Sequence, residues 1–391
     1  TLSEAEMLNK QGLWPTAGNE KTLIENVFSV DTFFDSNNSA DDAGRTITNG
    51  INLSGEGGLV WVKSRTSAQD HSLTDTVRGA SVRLSINTTA ANATGSKYDR
   101  VDQFNNNGFR YPNGYASAQD YVAWTFRKAP KFFDVVTYTG NGSSQTISHN
   151  LGTTVGCIIV KCTANTNDWA IYHRSYGGEY YFRTAPYGTD AASPNAQYWN
   201  DTNPTSTVFT VGSNTATNQS GQTYIAYLFA HDTSDAGLIQ CSSYTGNGSA
   251  TGPTVDLGFE PQWVLVKNAT DNGQWFNIID SIRGFNTPEG AQTLGANDDD
   301  AEYVNANLGS STPILSPTAT GFQVRSNQAA TNTNGSTYIY IAIRKGPMGT
   351  PTSRASVFDI DTQGSTGDGK APAFRFGGYV DLQISRIVTS T

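Results

Sequence analysis

The sequence predicts an all-β protein of three tandem β-sandwich, jelly-roll-like modules with short extensions at both ends. Three observations predict it. The pentapeptide Tyr-Thr-Gly-Asn-Gly occurs at Tyr138–Gly142 and again, a domain's length later, at Tyr244–Gly248. Short apolar runs rich in β-branched residues, such as "CIIVK" and "VLVK", alternate with Gly- and Asn-rich reversals, the pattern of strands buried on both faces and joined by turns. Charged residues are 15% of the 391, against a usual ~25%, which fits polar-surfaced β-structure with many turns.

The repeats justify themselves in order. Lining up the two pentapeptides also aligns "CIIVK" with "QWVLVK", "DWAIYH" with "QWFNIID", "STVFTVG" with "ATGFQVRS" and "QTYIAYLFAHD" with "STYIYIAIR", at equal early spacing. These define modules at 131–235 and 236–348. A first copy at 28–130 has a worn opening but keeps "GGLVWVK", "NNGFRYP" and "DYVAWTFRK", and its "DTVRG" echoes the third module's "DSIRG". Ser3 to Glu6 reads as a capping box in an N-terminal docking segment, 1–27. A strand-like C-terminal segment, 349–391, contains "FRFGGYVDLQISRIV". Tyr-Thr-Gly-Asn-Gly itself reads as a strand and turn; no helix follows to make it a phosphate cradle.

The net charge of -9 argues against the basic face that nucleic acid or anionic lipid requires, and no apolar run is long enough for a spanning helix. Neither nucleic-acid binding nor membrane insertion is expected. Cys157, Cys162 and Cys241 cannot form a disulfide framework. Cys157 and Cys162 face opposite sides of one strand, so buried free thiols and a reducing site of synthesis are expected.

The candidate chemistry is sparse. His71, His149, His173 and His231 are scattered, without zinc spacing, so no metal and no cofactor is expected. The run Asp298, Asp299, Asp300 with Glu302 lacks a calcium-loop pattern and reads as solvated charge. Asp75/Arg78 and Asp280/Arg283 read as salt-bridged turns. Lys63, Lys161 and Lys267, each ending an apolar strand, read as edge or snorkelling lysines. Trp169 and Trp275, at equivalent places, read as core. The second module's loops supply the binding candidate: Tyr180, Tyr181, Tyr187, Tyr198 and Trp199 stand beside Asn, Asp and Gln, a composition suited to stacking on a sugar or meeting a receptor. Asp168, Glu179, Asp190 and Asp201 offer carboxylates for glycoside hydrolysis, but no spacing selects a pair.

The string "GLVWVKSRTSAQDHSLTDTVRGASVRLSINTTAANAT", with "NNNGFRYP", "DYVAWTFRK", "SSYTGNGSATGPTVDLGFEPQWVLVKN", "FNIIDSIRGFN" and "NTNGSTYIYIAIRK", resembles a repeat module of virion proteins in tailed bacteriophages, marine and cyanobacterial ones among them, usually labelled tail-fibre-like. The likeness covers about 28–347 and brings no catalytic residues with it. It implies a non-enzymatic structural and adhesive virion component, made in the host cytoplasm without a signal peptide. Its implied partners are other virion proteins, copies of itself, often as a trimer, and a host cell-surface glycan or protein. A capsid decoration or head-fibre protein is the alternative, and a polysaccharide-degrading tailspike the second. Two departures stand out: the first block lacks the Tyr-Thr-Gly-Asn-Gly opening, and the second has "YHRSYGG" in place of the Asp and Arg-Gly turn.

Overall fold

Each repeat places its last strand between its first and its third, and the reason lies in how the apolar strands are covered. A computed structural model describes residues 22–35, 44–94, 100–112, 118–184, 190–285, 292–304 and 314–346. The Ser3–Glu6 turn, most of the 1–27 segment and the 349–391 segment lie outside the described residues. All strand pairings among the described residues are antiparallel.

The first repeat supplies β1 (Phe28–Asp35), β2 (Arg45–Thr48), β3 (Gly58–Ser64), β4 (Ser72–Asp75), β5 (Gln103–Asn105), β6 (Gly108–Tyr111) and β7 (Gln119–Arg127). They form a large sheet β1-β7-β3-β4 and a small one β2-β6-β5. The second supplies β8 (Phe133–Thr139), β9 (Gln145–Ser148), β10 (Val155–Cys162), β11 (Trp169–His173), β12 (Tyr180–Arg183), β13 (Ser193–Pro194), β14 (Val208–Val211) and β15 (Thr223–Ala230). Its sheets run β13-β12-β11-β10-β15-β8 and β14-β9. The third supplies β16 (Ile239–Thr245), β17 (Thr254–Asp256), β18 (Pro261–Asn268), β19 (Phe276–Asp280), β20 (Gln292–Gly295), β21 (Tyr303–Val304), β22 (Leu315–Thr318), β23 (Gly321–Val324) and β24 (Thr337–Arg344). Its sheets run β16-β24-β18-β19-β20-β21 and β17-β23-β22. By place in the repeat, the order first, last, third, fourth recurs in all three large sheets.

The third strands β3 and β10 are buried at every position and β18 at all but one, and the alternation of a strand explains how. One set of side chains faces the repeat's own small sheet: Val60 and Val62 meet Phe109 and Tyr111 in the first repeat, and Val264 and Val266 meet Phe322 and Val324 in the third. The other set, Leu59 and Trp61, Cys157 and Ile159, Trp263 and Leu265, enters a single core shared by all three repeats. Cys157 and Cys162 do point to opposite faces of β10, and all three cysteines are buried free thiols. At one end of the shared core Phe126, Phe229 and Trp263 meet edge-on, with Phe126 5.6 Å from Phe229 and 5.9 Å from Trp263. Burying each such ring contributes about 1.5–3 kcal/mol. The three repeats therefore lie within one compact unit that ends at Lys345.

The repeated pentapeptide is a clamp on this frame. Tyr138 and Tyr244 stack on Tyr224 and Tyr338 of the paired last strands, at 5.2 and 5.0 Å. Their hydroxyls donate to Thr217 O and Thr331 O. The turn's Asn141 and Asn247 give their backbone N–H to the side-chain oxygens of Asn218 and Asn332, whose amides donate back to them. Gly142 and Gly248 sit at φ +76° and +69°, where a side chain would be strained. In the first repeat Phe33 stacks on Tyr121 at 5.3 Å in the equivalent place, so the worn opening keeps the ring pair.

Candidate functional site

The joints between repeats are built on buried polar groups. The fourth strands end at Asp75, His173 and Asp280, which pair with Leu59, Cys157 and Trp263 at equivalent register. Each of these ends reaches the last strand of another repeat. Asp75 Oδ2 accepts from Arg78 Nε at 2.6 Å and from the Tyr227 hydroxyl at 2.8 Å. Asp280 Oδ2 accepts from Arg283 Nε at 2.6 Å and from Trp124 Nε1 at 3.0 Å, and the Arg283 guanidinium lies 5.3 Å over the Trp124 ring. His173 Nε2 lies 3.2 Å from Tyr340 O, so it carries the proton and donates, while Nδ1 accepts from Ser175 N at 3.3 Å. Burial pushes the His173 imidazole down to about 3, which keeps it neutral.

Trp124, Tyr227 and Ile341 pair with Trp61, Ile159 and Leu265 at equivalent register, and Tyr340 adjoins Ile341. The first repeat thus reaches the second, the second the third, and the third the first. A head-to-tail contact that returns to its start after three steps is a closed pseudo-threefold ring. Further bonds seal the same joints. Trp61 Nε1 donates to His71 Nδ1 at 2.8 Å, which leaves His71 Nε2 to donate to Gly295 O at 2.9 Å and Asp298 O at 3.1 Å. Burial lowers His71 to about 3. Arg65 forks onto Glu302 at 2.5 and 3.0 Å, and Trp169 Nε1 donates to Ser85 O and Thr88 O.

Several sequence expectations change. Lys63, Lys161 and Lys267 do not snorkel: all three are buried. Their ammonium groups donate to backbone carbonyls of Ser64 and Asp299, Cys162 and Asn165, and Gln274. Burial, the dominant cause, brings each down to about 8. Trp199 and Tyr198 are 1% and 5% exposed, so neither presents a free face. An Asn195-capped turn, Ala196–Trp199, tucks Trp199 edge-on against Tyr172 at 6.0 Å. Tyr198 is stacked on half-buried Tyr181 at 3.7 Å, and Tyr180 is half-buried against Tyr176. Tyr187 lies outside the described residues. Tyr180, Tyr181, Tyr198 and Trp199 are thus largely consumed in packing. Asp168 and Asp190 are both held by Arg183; Glu179 and Asp201 are exposed.

Trp169 is core, but Trp275 is 37% exposed. The position opposite Lys161 is Trp169, whereas the position opposite Lys267 is Phe276; one extra residue displaces Trp275 from the slot. Asp299 and Asp300 are exposed and Asp298 is half-buried, with their carboxylate oxygens within 4.8 Å of one another. Sequence reasoning missed Trp124, Tyr227 and His173 as joint residues. The signal was the equal register of the fourth strands, which places His173 where the other repeats carry Asp.

These features define an all-antiparallel β protein whose three sandwich-like repeats close around one core. The chain belongs to the family described as a domain of unknown function, DUF7483, whose model matches residues 31–347. That match spans all three repeats as one domain, in keeping with their shared core. No curated protein matches the sequence. Among solved structures, one described as "Crystal Structure of the STIV MCP" aligns at 8% identity over 54% of this chain and 85% of that one, with a TM-score of 0.15, a value too low to carry argument.

Proposed function

We propose that the protein is a non-enzymatic structural and adhesive component of a bacteriophage virion, a tail-fibre-like appendage that contacts the host surface. The observation that carries this reading is the closed ring of three repeats: its joints spend their buried carboxylates, Asp75 and Asp280, on holding neighbouring repeats together. Such a body repeats one kind of joint three times, and it suits a particle whose appendages are symmetric oligomers bound to other virion proteins. The resemblance to tail-fibre-like repeat modules supports the same reading. A host-surface glycan or protein is the external partner, and weak single contacts gain from many copies per particle. Threefold repetition within one chain also means that a further homotrimer would present nine repeats.

The test is location and copy number. Gold-labelled antibody against the chain, applied to intact particles, should mark the tail or baseplate at tens of copies. Labelling of the shell at hundreds of copies would replace the appendage with a capsid decoration. Particles that lack the chain would overturn both, and glycan cleavage by the purified chain would favour a tailspike.

A further inference from the structure

We infer a modification site at Asn272: in the turn between β18 and β19 its side-chain amide is lost by spontaneous deamidation, with water as the co-reactant, ahead of the other described Asn-Gly pairs. The inference is independent of the virion reading.

The chemistry sets the requirements. The backbone nitrogen of the following residue loses its proton to solvent base and attacks Cγ of the asparagine. A new N–Cγ bond closes a five-membered succinimide, the Cγ–Nδ2 bond breaks, and the amide leaves as ammonia. Water then opens one or the other carbonyl of the ring, giving aspartate or isoaspartate. No oxidant or other reagent takes part. Glycine in the second place obstructs the attack least, because it carries no Cβ. The reaction further needs an N–H that solvent reaches and a donor for the oxygen that becomes negative.

Six Asn-Gly pairs lie within the described residues, beginning at Asn49, Asn107, Asn141, Asn247, Asn272 and Asn334. In five the glycine nitrogen is occupied or sealed. Gly50 N donates to Asn107 O at 3.1 Å, and Gly142 N, Gly248 N and Gly335 N donate at 2.9 Å to Asn218 O, Asn332 O and Gly246 O. Gly108 is buried in the β5–β6 hairpin, paired with Asn105. The clamp on the repeated turn thus also protects Asn141 and Asn247.

Asn272 is free where these are held. Asn272 and Gly273 are both exposed, and Gly273 N makes no hydrogen bond among the described residues. Beyond its chain neighbours, nothing lies within 4 Å of where a Cβ on Gly273 would stand. Asn272 Oδ1 accepts from Ala191 N at 2.8 Å. A backbone donor there steadies the charge that Oδ1 gains as Cγ is attacked. Nδ2, the leaving group, donates to none of the described residues, whereas Asn49 Nδ2 is held by Asp31 and Thr125.

The site lies on a contact between the second and third repeats. Ala191 N to Asn272 Oδ1 and Ala192 N to Ala269 O, at 2.9 Å, join the segment before β13 to this turn. Aspartate keeps the acceptor and adds one negative charge to a chain already at -9. Isoaspartate routes the main chain through Cγ, which lengthens the turn by one carbon and makes Oδ1 a main-chain carbonyl. Isomerisation therefore loosens this contact with time.

The test is peptide mapping of the full chain held in mildly alkaline buffer. Trypsin releases the pair in the peptide Asn268–Arg283; mass spectrometry follows the gain of one dalton, and isoaspartyl methyltransferase labelling separates the two products. A hydrogen bond on the N–H is worth a factor of about five or more, so Asn272 should convert at least about fivefold faster than Asn49, Asn107, Asn141, Asn247 and Asn334. In urea that lead should disappear. Asn272→Gln, which would need a six-membered ring, should hold the peptide's mass unchanged and so exclude Asn268 and Asn277 as the source. Equal rates at the six pairs in the folded chain, faster loss at any of the other five, no conversion at Asn272, a lead that persists in urea, or a mass gain retained by Asn272→Gln would overturn the inference.

Discussion

Trp124 and Asp280, at opposite ends of the chain's repeat array, share a hydrogen bond of 3.0 Å from indole nitrogen to carboxylate. Both are fully buried, and the same carboxylate oxygen holds Arg283. Removing the acid leaves a buried guanidinium whose Nη1 makes no hydrogen bond and whose remaining carboxylate, Glu302, is 3.7 Å away. Asp280→Ala should therefore cost about 3–5 kcal/mol, and Trp124→Phe, which leaves the ion pair intact, about 1–3 kcal/mol. A double-mutant cycle in urea should return a coupling of about 0.5–3 kcal/mol. Strict additivity would mean that this bond does not close the ring.

The clamp on the repeated turn makes a second prediction. Asn332 is fully buried; its Oδ1 accepts from Asn247 N at 2.8 Å, and its Nδ2 donates to Asn247 Oδ1 and Ser249 O. Asn332→Ala leaves those groups unsatisfied and should cost about 2–3 kcal/mol, and Asn218→Ala a similar amount. Asn332→Asp should be worse, because it trades two donors for a buried charge. Denaturation midpoints equal to the parent's would show that water replaces the amide without penalty.

How much of this was legible follows from what a single strand can report. The apolar runs announced strands buried on both faces, and the odd spacing of Cys157 and Cys162 announced opposite orientations. Neither could say that one of those faces looks across to another repeat, because a run such as "CIIVK" is the same whether its second cover is a small sheet or a neighbouring module. Lys63, Lys161 and Lys267 misled for the same reason: a lysine ending a strand snorkels only if that strand end meets water. Tyr198 and Trp199 sit in a segment whose composition is identical whether the rings stack inward or outward. Trp275 was hidden by a one-residue insertion that aligned it with Trp169.

The three buried amines shape the pH dependence. Burial lowers Lys63, Lys161 and Lys267 to about 8, against ~10.4 in an unfolded chain. Between those values the unfolded chain holds protons that the folded one has released, so stability should rise with pH from about 8 to about 10. Beyond about 10 it should fall, because burial keeps Tyr138, Tyr227 and Tyr244 protonated while their unfolded counterparts ionise. On the acid side, His71 and His173, held neutral to about 3, predict a loss that begins as pH drops below ~6.5. Urea midpoints across pH 5–11 test the profile. Replacing the three lysines with methionine should flatten the alkaline rise, and a parent already level there would rule out the shifted amines.

The shared core makes a prediction about cooperativity. No repeat covers its own inner face: Leu59 and Trp61 from the first, Ile159 from the second and Leu265 from the third pack into one cluster. Leu265→Ala, at a site 5% exposed, should cost about 2–5 kcal/mol, and that loss should not stay in the third repeat. Amide hydrogen exchange should quicken in β3 and β10 as much as in β18, because opening the third repeat uncovers the inner faces of the other two. Calorimetry should show one transition, with equal calorimetric and van't Hoff enthalpies. If exchange quickened in β18 alone while β3 kept its protection, the repeats would be opening independently, and the ring would be three sandwiches in contact rather than one cooperative body.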